Sequence, residues 1–142
     1  MKLAAHIKSW WRRTKTPLHL QYGALGEAAA KKHLQRQGLH FLTANFRSPR
    51  GEIDLVFRHG DCLVFVEVKT RSSDEWARPA AAVNAKRRRR LTRAALDYLR
   101  LLHNPPVKVR FDIVEVLLLD GSIREVRHLP NSFAMEQPYR YG

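Results

Sequence analysis

Asp54, Glu67 and Lys69 are the residues of this chain whose types and spacing suit chemistry. Asp54 lies in the alternating segment Glu52 to His59, and Glu67 and Lys69 lie in the β-branched run Cys62 to Thr70. Gly60-Asp61 between them has the composition of a two-residue hairpin loop. If His59 pairs with Cys62, Asp54 falls opposite Glu67 and Glu52 opposite Lys69, and such partners share a face with β-carbons about 5 Å apart. Two facing carboxylates repel, so folding alone gives no reason to place them there. A hard divalent cation does: Mg²⁺, or Mn²⁺ in its place, takes carboxylate oxygens at about 2 Å and keeps waters and phosphate oxygens around it. Lys69, about 7 Å from Glu67 along the same strand face, reaches a water or phosphate beside such an ion. Glu27, on an earlier helix, is a further candidate ligand, direct or through water. The chemistry expected is hydrolysis of a phosphodiester by a metal-activated water, with Lys69 orienting that water or stabilising developing charge. Glu-Val-Lys on a strand is by itself more often an exposed ion pair. Asp54 in register and a strongly basic chain turn the balance toward a metal site.

The elements that must position these residues follow from periodicity and punctuation. Tyr22 to Gln37 is rich in Ala, Leu, Lys and Glu and predicts a helix stopped by Gly38, with Glu27 in its first turns. Leu39 to Phe46 reads as a strand, and Ser48-Pro49-Arg50-Gly51 as a turn. In the hairpin, Ile53, Leu55 and Phe57 are expected on one face, with Glu52, Asp54, Val56 and Arg58 on the other. A one-residue slip would put Asp54 and Glu67 on opposite faces and bury one of them. After a polar loop over residues 71–80, a second helix is expected from about Ala81 to His103. Its buried stripe would be Leu91, Ala94, Ala95, Tyr98, Leu99 and Leu102, and Pro105-Pro106 would end it. Val107 to Leu119 and Ser122 to Leu129 read as strands joined at Asp120-Gly121. The order α-β-β-β-α-β-β is that of a single α/β domain.

The chain has 142 residues, with 26 Lys and Arg against 13 Asp and Glu, a net charge of +13. Its 44% hydrophobic and 27% charged content is that of a globular protein and excludes wholesale disorder. One cysteine, Cys62, excludes an intramolecular disulfide and any zinc site with two thiolates, and suits a cytoplasmic protein. No apolar run approaches a membrane span. The charge surplus favours a polyanionic partner, because each phosphate neutralised by Lys or Arg releases a counterion. Residues 1–20 read as a basic arm carrying Arg12 and Arg13 beside Trp10-Trp11, suited to phosphates and base stacking. The arm lacks the apolar region of a secretory signal, while a mitochondrial presequence remains an alternative. Lys86, Arg87, Arg88 and Arg90, in a run spanning more than one helical turn, are expected to divide between a phosphate-binding ridge and solvent. Residues 21–130 form the expected domain, and 131–142 a tail with Phe133, Tyr139 and Tyr141 that packs loosely or meets a partner.

Gly51-Glu52-Ile53-Asp54-Leu55 followed by Val64-Phe65-Val66-Glu67-Val68-Lys69-Thr70-Arg71 resembles the YraN-like family of bacterial proteins. That family in turn is similar to the PD-(D/E)xK restriction-endonuclease-like superfamily, Holliday-junction resolvases included. Tyr22 to Glu27 with Ala30, Asn45-Phe46-Arg47, Lys86 with Ala94 to Leu99, and Arg110-Phe111-Asp112 support the match, which covers nearly everything after residue 20. The resemblance implies a restriction-endonuclease-like core, a mixed central sheet flanked by helices. It implies that Asp54, Glu67 and the main-chain carbonyl of Val68 bind metal, that Lys69 is the superfamily's lysine, and that Glu27 is the resolvases' helix glutamate. Ile53 stands where the superfamily has proline, and Ala77 where the family follows an aromatic with glycine. Arg71 joins the expected nucleic-acid contacts. DNA, branched or single-stranded, is the expected substrate ahead of RNA, which the sequence does not separate from it; no RNA-module motif is visible. A homodimer follows from analogy with junction enzymes alone. The rival reading is a non-catalytic nucleic-acid-binding protein that keeps the nuclease architecture.

Overall fold

The computed structural model describes residues 18–72 and 83–142. Helix α1 spans Leu18–Arg36 and β1 His40–Ser48. Strand β2 spans Gly51–His59 and β3 Cys62–Arg71. Helix α2 spans Ala85–Leu101, followed by β4 at Lys108–Leu119 and β5 at Ser122–Phe133. The strands form one five-stranded sheet in the order β1-β2-β3-β4-β5. Only β3 and β4 run parallel, because α2 carries the chain back between them. The expected order and the mixed sheet flanked by helices are what is observed, an arrangement consistent with a nuclease-like fold. Among the described residues, no helix is long and apolar enough to cross a membrane.

The boundaries differ from expectation at several points. Helix α1 begins at Leu18, so Glu27 sits about two and a half turns in rather than in the first turns. Its end is set as expected: Gly38, at φ 90°, donates to Gln35, and Leu39 donates to Leu34. Helix α2 starts at Ala85, where the Asn84 side chain accepts the Arg87 amide at 2.8 Å, an N-cap that the broad helical pattern hides. It ends at Leu101, before Pro105-Pro106, because His103 and Asn104 turn to positive φ and Asn104 donates back to Leu99. Leu102, expected in the buried stripe, is accordingly 42% exposed. Strand β5 runs on to Phe133, whose ring stacks on Phe111 at 4.9 Å. The tail beyond it is seated on α2 and the loop that follows: Tyr139 accepts from Arg93 at 2.9 Å, and the Tyr141 hydroxyl donates to the Pro105 carbonyl.

The central strands β2, β3 and β4 are buried on both faces, which corrects the expected placing of Ile53 on one face with Leu55 and Phe57. Ile53, Val56, Leu63, Phe65, Phe111 and Ile113 pack with Leu91, Ala94, Ala95 and Leu99 of α2. Leu55, Phe57, Val64, Val66, Val114 and Val116 pack with Ala30 and Leu34 of α1. A sheet with a parallel pair at its centre is covered on both sides, so its inner strands read as continuous apolar runs. Ile53 and Leu55, expected together, belong to different clusters. The alternation of β2 therefore breaks between them, at Asp54.

Candidate active site

Asp54 and Glu67 owe their position to the hairpin register. The β2–β3 ladder runs from His59 opposite Cys62 to Leu55 opposite Val66, as Gly60-Asp61 requires. Continuing that register by one residue sets Asp54 beside Glu67. There a side chain replaces the backbone ladder: the Val68 N–H donates to Asp54 Oδ2 at 2.8 Å. Glu52, expected opposite Lys69, instead partners Arg47 of β1, with an ion pair of 3.6 Å. Lys69 lies beside Glu115 in the parallel β3–β4 register.

Two glycines let both helices approach this end of the sheet. A Cβ on Gly26 would stand 2.1 Å from Thr70 Oγ1, so only glycine lets α1 lie so close to β3. That contact delivers Glu27, the next residue, to the carboxylates. A Cβ on Gly51 would stand 2.4 Å from the Arg90 carbonyl oxygen, so β2 begins directly against α2. The same approach brings Arg87 over Glu67.

The electrostatics record the crowding of acids. Burial and the neighbouring charge of Glu67 push the Asp54 carboxyl up to about 7, against the opposing Val68 hydrogen bond. Glu27 is raised as well, first by burial, then by Glu52 and Glu67, while a hydrogen bond from Asn45 works the other way. Arg87 closes Glu67 from above: its Nε donates to Oε1 at 3.1 Å and its Nη2 to Oε2 at 3.0 Å. Burial works against the Arg87 charge, yet Glu67 outweighs it and holds the guanidinium above its usual range.

Asn45, named only in the family resemblance, and Glu115 were not among the candidate site residues. Asn45 interrupts β1 at φ 54°, between Ala44, opposite Leu55, and Phe46, opposite Ile53. It thus falls level with Asp54. Asn is enriched at positive φ and depleted in strands, so its place in a β-pattern was the available signal. Glu115 is 1% exposed and gathers two arginines, Arg71 at 2.7 Å and Arg127 at 3.9 Å. Nothing local in a buried strand marks such a residue.

The expected nucleic-acid contacts divide. Arg71 is drawn down to Glu115 with its side chain 11% exposed, which moves it from the surface to the interior of the site. Arg87 faces Glu67, and Arg88 ties α2 to Glu136 at 3.1 Å and to the Val83 carbonyl at 2.7 Å. Lys86 and Arg90 are exposed, as is Arg89 between them. Arg12, Arg13 and Trp10-Trp11, with the loop position Ala77 beside Trp76, lie outside the described residues.

Asp54 and Glu67 are hard oxygen donors, and the Asp54 carboxyl is raised first by burial and then by the neighbouring charge of Glu67. Such a donor pair fits Mg²⁺ or Mn²⁺. Among the described residues, no three His, Cys, Asp or Glu side chains gather closely enough to enclose an ion. A cation held here would complete its shell with water and phosphate, as Mg²⁺ commonly does.

Comparison with known proteins places the same segments in a family. A family model described as "Uncharacterised protein family UPF0102" matches residues 26–116. The chain is 39% identical over 112 residues to a UPF0102 protein of Trichlorobacter lovleyi, covering 78% of this chain and 88% of the relative. It is 37% identical over 113 residues to one of Geobacter metallireducens, covering 80% and 92%. A UPF0102 protein of Chlorobaculum parvum is 42% identical over 116 residues, covering 78% and 90%.

Proposed function

This chain belongs to the uncharacterised UPF0102 family, and we propose that it is a metal-dependent endonuclease hydrolysing phosphodiester bonds in DNA. The observation that carries the reading is the meeting of Asp54 and Glu67 at the open end of the β2–β3 ladder, with Lys69 next on the same strand face. Asp54 and Glu67 would hold a divalent cation, which would supply Lewis-acid polarisation of a phosphoryl oxygen and acidify a bound water. Asp54 is kept in place for that task by the Val68 N–H. Lys69 places its ammonium where charge develops on the phosphate and orients the attacking water. Glu27, with its carboxyl raised by burial among acids, accepts the proton that the water gives up. Lys86 and Arg90 face solvent on α2, where they meet the backbone of the bound strand. The family's setting in bacteria and the single cysteine suit a cytoplasmic enzyme.

The reading is tested with purified protein, Mg²⁺ or Mn²⁺, and linear, single-stranded and four-way DNA. Cutting is expected to require the metal and to fall by at least about a hundredfold in Asp54→Asn and Lys69→Ala. Cutting that survives both substitutions sinks the assignment.

One observation favours a second reading, a nucleic-acid-binding protein without catalysis. Arg87 already compensates both oxygens of Glu67. On that reading Mn²⁺ has no measurable affinity for the site, and salt-sensitive DNA binding occurs with no cutting of any substrate.

A further inference from the structure

A groove outside the carboxylate site lies between the β1–β2 turn and the C-terminal half of α2. It encloses about 480 Å³, and Phe46, Arg47, Arg50, Asp97, Arg100 and Leu101 line it. Its origin is the close approach at Gly51, which seats the turn on α2. Three arginines thereby share one groove with a single carboxylate of α2. Arg50 occupies that carboxylate, with Nη2 on Asp97 Oδ1 at 2.8 Å and Nε at 3.2 Å, and it also donates to the Arg93 carbonyl. Arg50 is thus a fixed wall. Arg47 and Arg100 are the exposed cations, their side chains 80% and 70% exposed; Arg47 pairs with Glu52 at 3.6 Å, and Arg100 reaches Asp97 from its other side at 3.5 Å.

Between these charges the surface is apolar. Phe46 is held edge-on against Tyr98 at 5.2 Å, and Leu101, 68% exposed, presents a large aliphatic side chain to water among arginines. Cations around an apolar floor fit an anion that carries a flat apolar body. A nucleotide unit of an unpaired strand is such a ligand: phosphate for the arginines, base or sugar for Phe46 and Leu101. A duplex keeps its bases stacked inside and has no use for the floor.

We propose that this groove binds single-stranded nucleic acid, with Arg47 and Arg100 on backbone phosphates and Phe46 and Leu101 against a base or sugar. The proposal rests on the nuclease reading only for the strand's destination. Arg87 at the carboxylates and Arg100 in the groove lie on one helix, thirteen residues or about 20 Å apart, with Arg89 and Arg90 exposed between them. The groove thus holds the flank of a strand whose scissile bond lies at Asp54.

Binding is measured without cutting, by fluorescence anisotropy of a labelled oligothymidylate in EDTA across a salt series. Arg47→Gln/Arg100→Gln is expected to weaken binding about tenfold and to lower the logarithmic salt slope by about 1.4, two contacts at about 0.7 each. Leu101→Glu, at an exposed position, weakens it by a similar factor with the melting temperature unchanged. The control Arg36→Gln/Arg124→Gln removes the same charge from α1 and β5 and changes affinity by no more than about twofold. The proposal is overturned if the control weakens binding as much, or if a duplex of equal length binds as well and loses as much. DNA cutting that never appears, with the groove results intact, removes the nuclease reading alone. Wild-type binding by the groove variants removes the groove alone.

Discussion

Both carboxylate oxygens of Glu67 are held by one guanidinium, that of Arg87, at 3.1 and 3.0 Å. Glu67 is only 6% exposed, so this pair is the charge balance of a nearly buried carboxylate. Where a divalent cation binds, it competes with Arg87 for the same oxygens. Arg87→Gln therefore lowers stability in EDTA, by about 1–3 kcal/mol after allowing for the partial exposure of the arginine. It also tightens Mn²⁺ binding. Thermal unfolding with and without Mn²⁺, and titration followed by electron paramagnetic resonance, read the two effects separately. Equal Mn²⁺ affinity in variant and wild type would mean that Arg87 and metal do not share Glu67.

Asp54 gives the site a pH signature. Its carboxyl titrates at about 7 in the fold against about 3.8 ordinarily, because burial and Glu67 both disfavour the anion. Between those values the folded chain holds a proton that the unfolded chain has lost, so metal-free stability falls as pH rises and the loss is complete above about 7. Asp54→Asn carries no such proton and keeps an acceptor for the Val68 amide. The stability of Asp54→Asn relative to wild type in EDTA is expected to be greater at pH 8 than at pH 5. A difference independent of pH removes Asp54 as the group responsible.

The close approach of α1 to β3 is testable through size alone. In Gly26→Ala the new methyl meets Thr70 Oγ1, a short β-branched side chain that cannot swing far. Overpacking of this kind costs about 1–3 kcal/mol. Thr70→Ala in the same chain removes the clash, so urea unfolding of the double variant is expected to recover most of the loss. No recovery means that the destabilisation arises elsewhere on α1.

The hairpin register was legible in sequence because the two-residue loop Gly60-Asp61 fixes it, and with it the meeting of Asp54 and Glu67. The element order was legible because Gly38, Pro49-Arg50-Gly51, Pro105-Pro106 and Asp120-Gly121 punctuate the periodic segments. The faces of the sheet were not. With both sides covered, Ile53 and Leu55 are equally apolar wherever they point, and no pattern records the break at Asp54. The ion pairs were hidden for a different reason. Arg87 with Glu67, Arg71 with Glu115 and Arg88 with Glu136 join residues far apart in the chain, so a basic run looks the same whether its members face phosphate or a carboxylate. Of the two site residues missed, Asn45 alone carried a local signal, a turn former within a strand.

Asp112 provides the strongest test of what holds the β4–β5 pair and α1 together away from the carboxylate site. It is fully buried and accepts from Arg110 Nε and Nη2 at 2.9 and 3.1 Å and from the Asn131 amide at 2.9 Å. His128 Nε2 lies 2.7 Å from its Oδ2, and His128 Nδ1 lies 2.8 Å from Gln37 just beyond α1. Burial alone would raise the Asp112 carboxyl, yet the hydrogen bonds from His128 and Arg110 hold it below its ordinary value. A depressed folded value contributes stability above the ordinary Asp range that is lost as pH falls through it. Asp112→Asn leaves Arg110 beside an uncharged partner and is expected to cost about 3–5 kcal/mol at neutral pH. The gap between wild type and variant narrows as pH drops below about 4, where the unfolded chain takes up the proton, and closes as pH falls through the lower folded value. Urea unfolding across that range measures both features, and a gap that persists undiminished in acid would show that packing, and not the Asp112 charge, joins these elements.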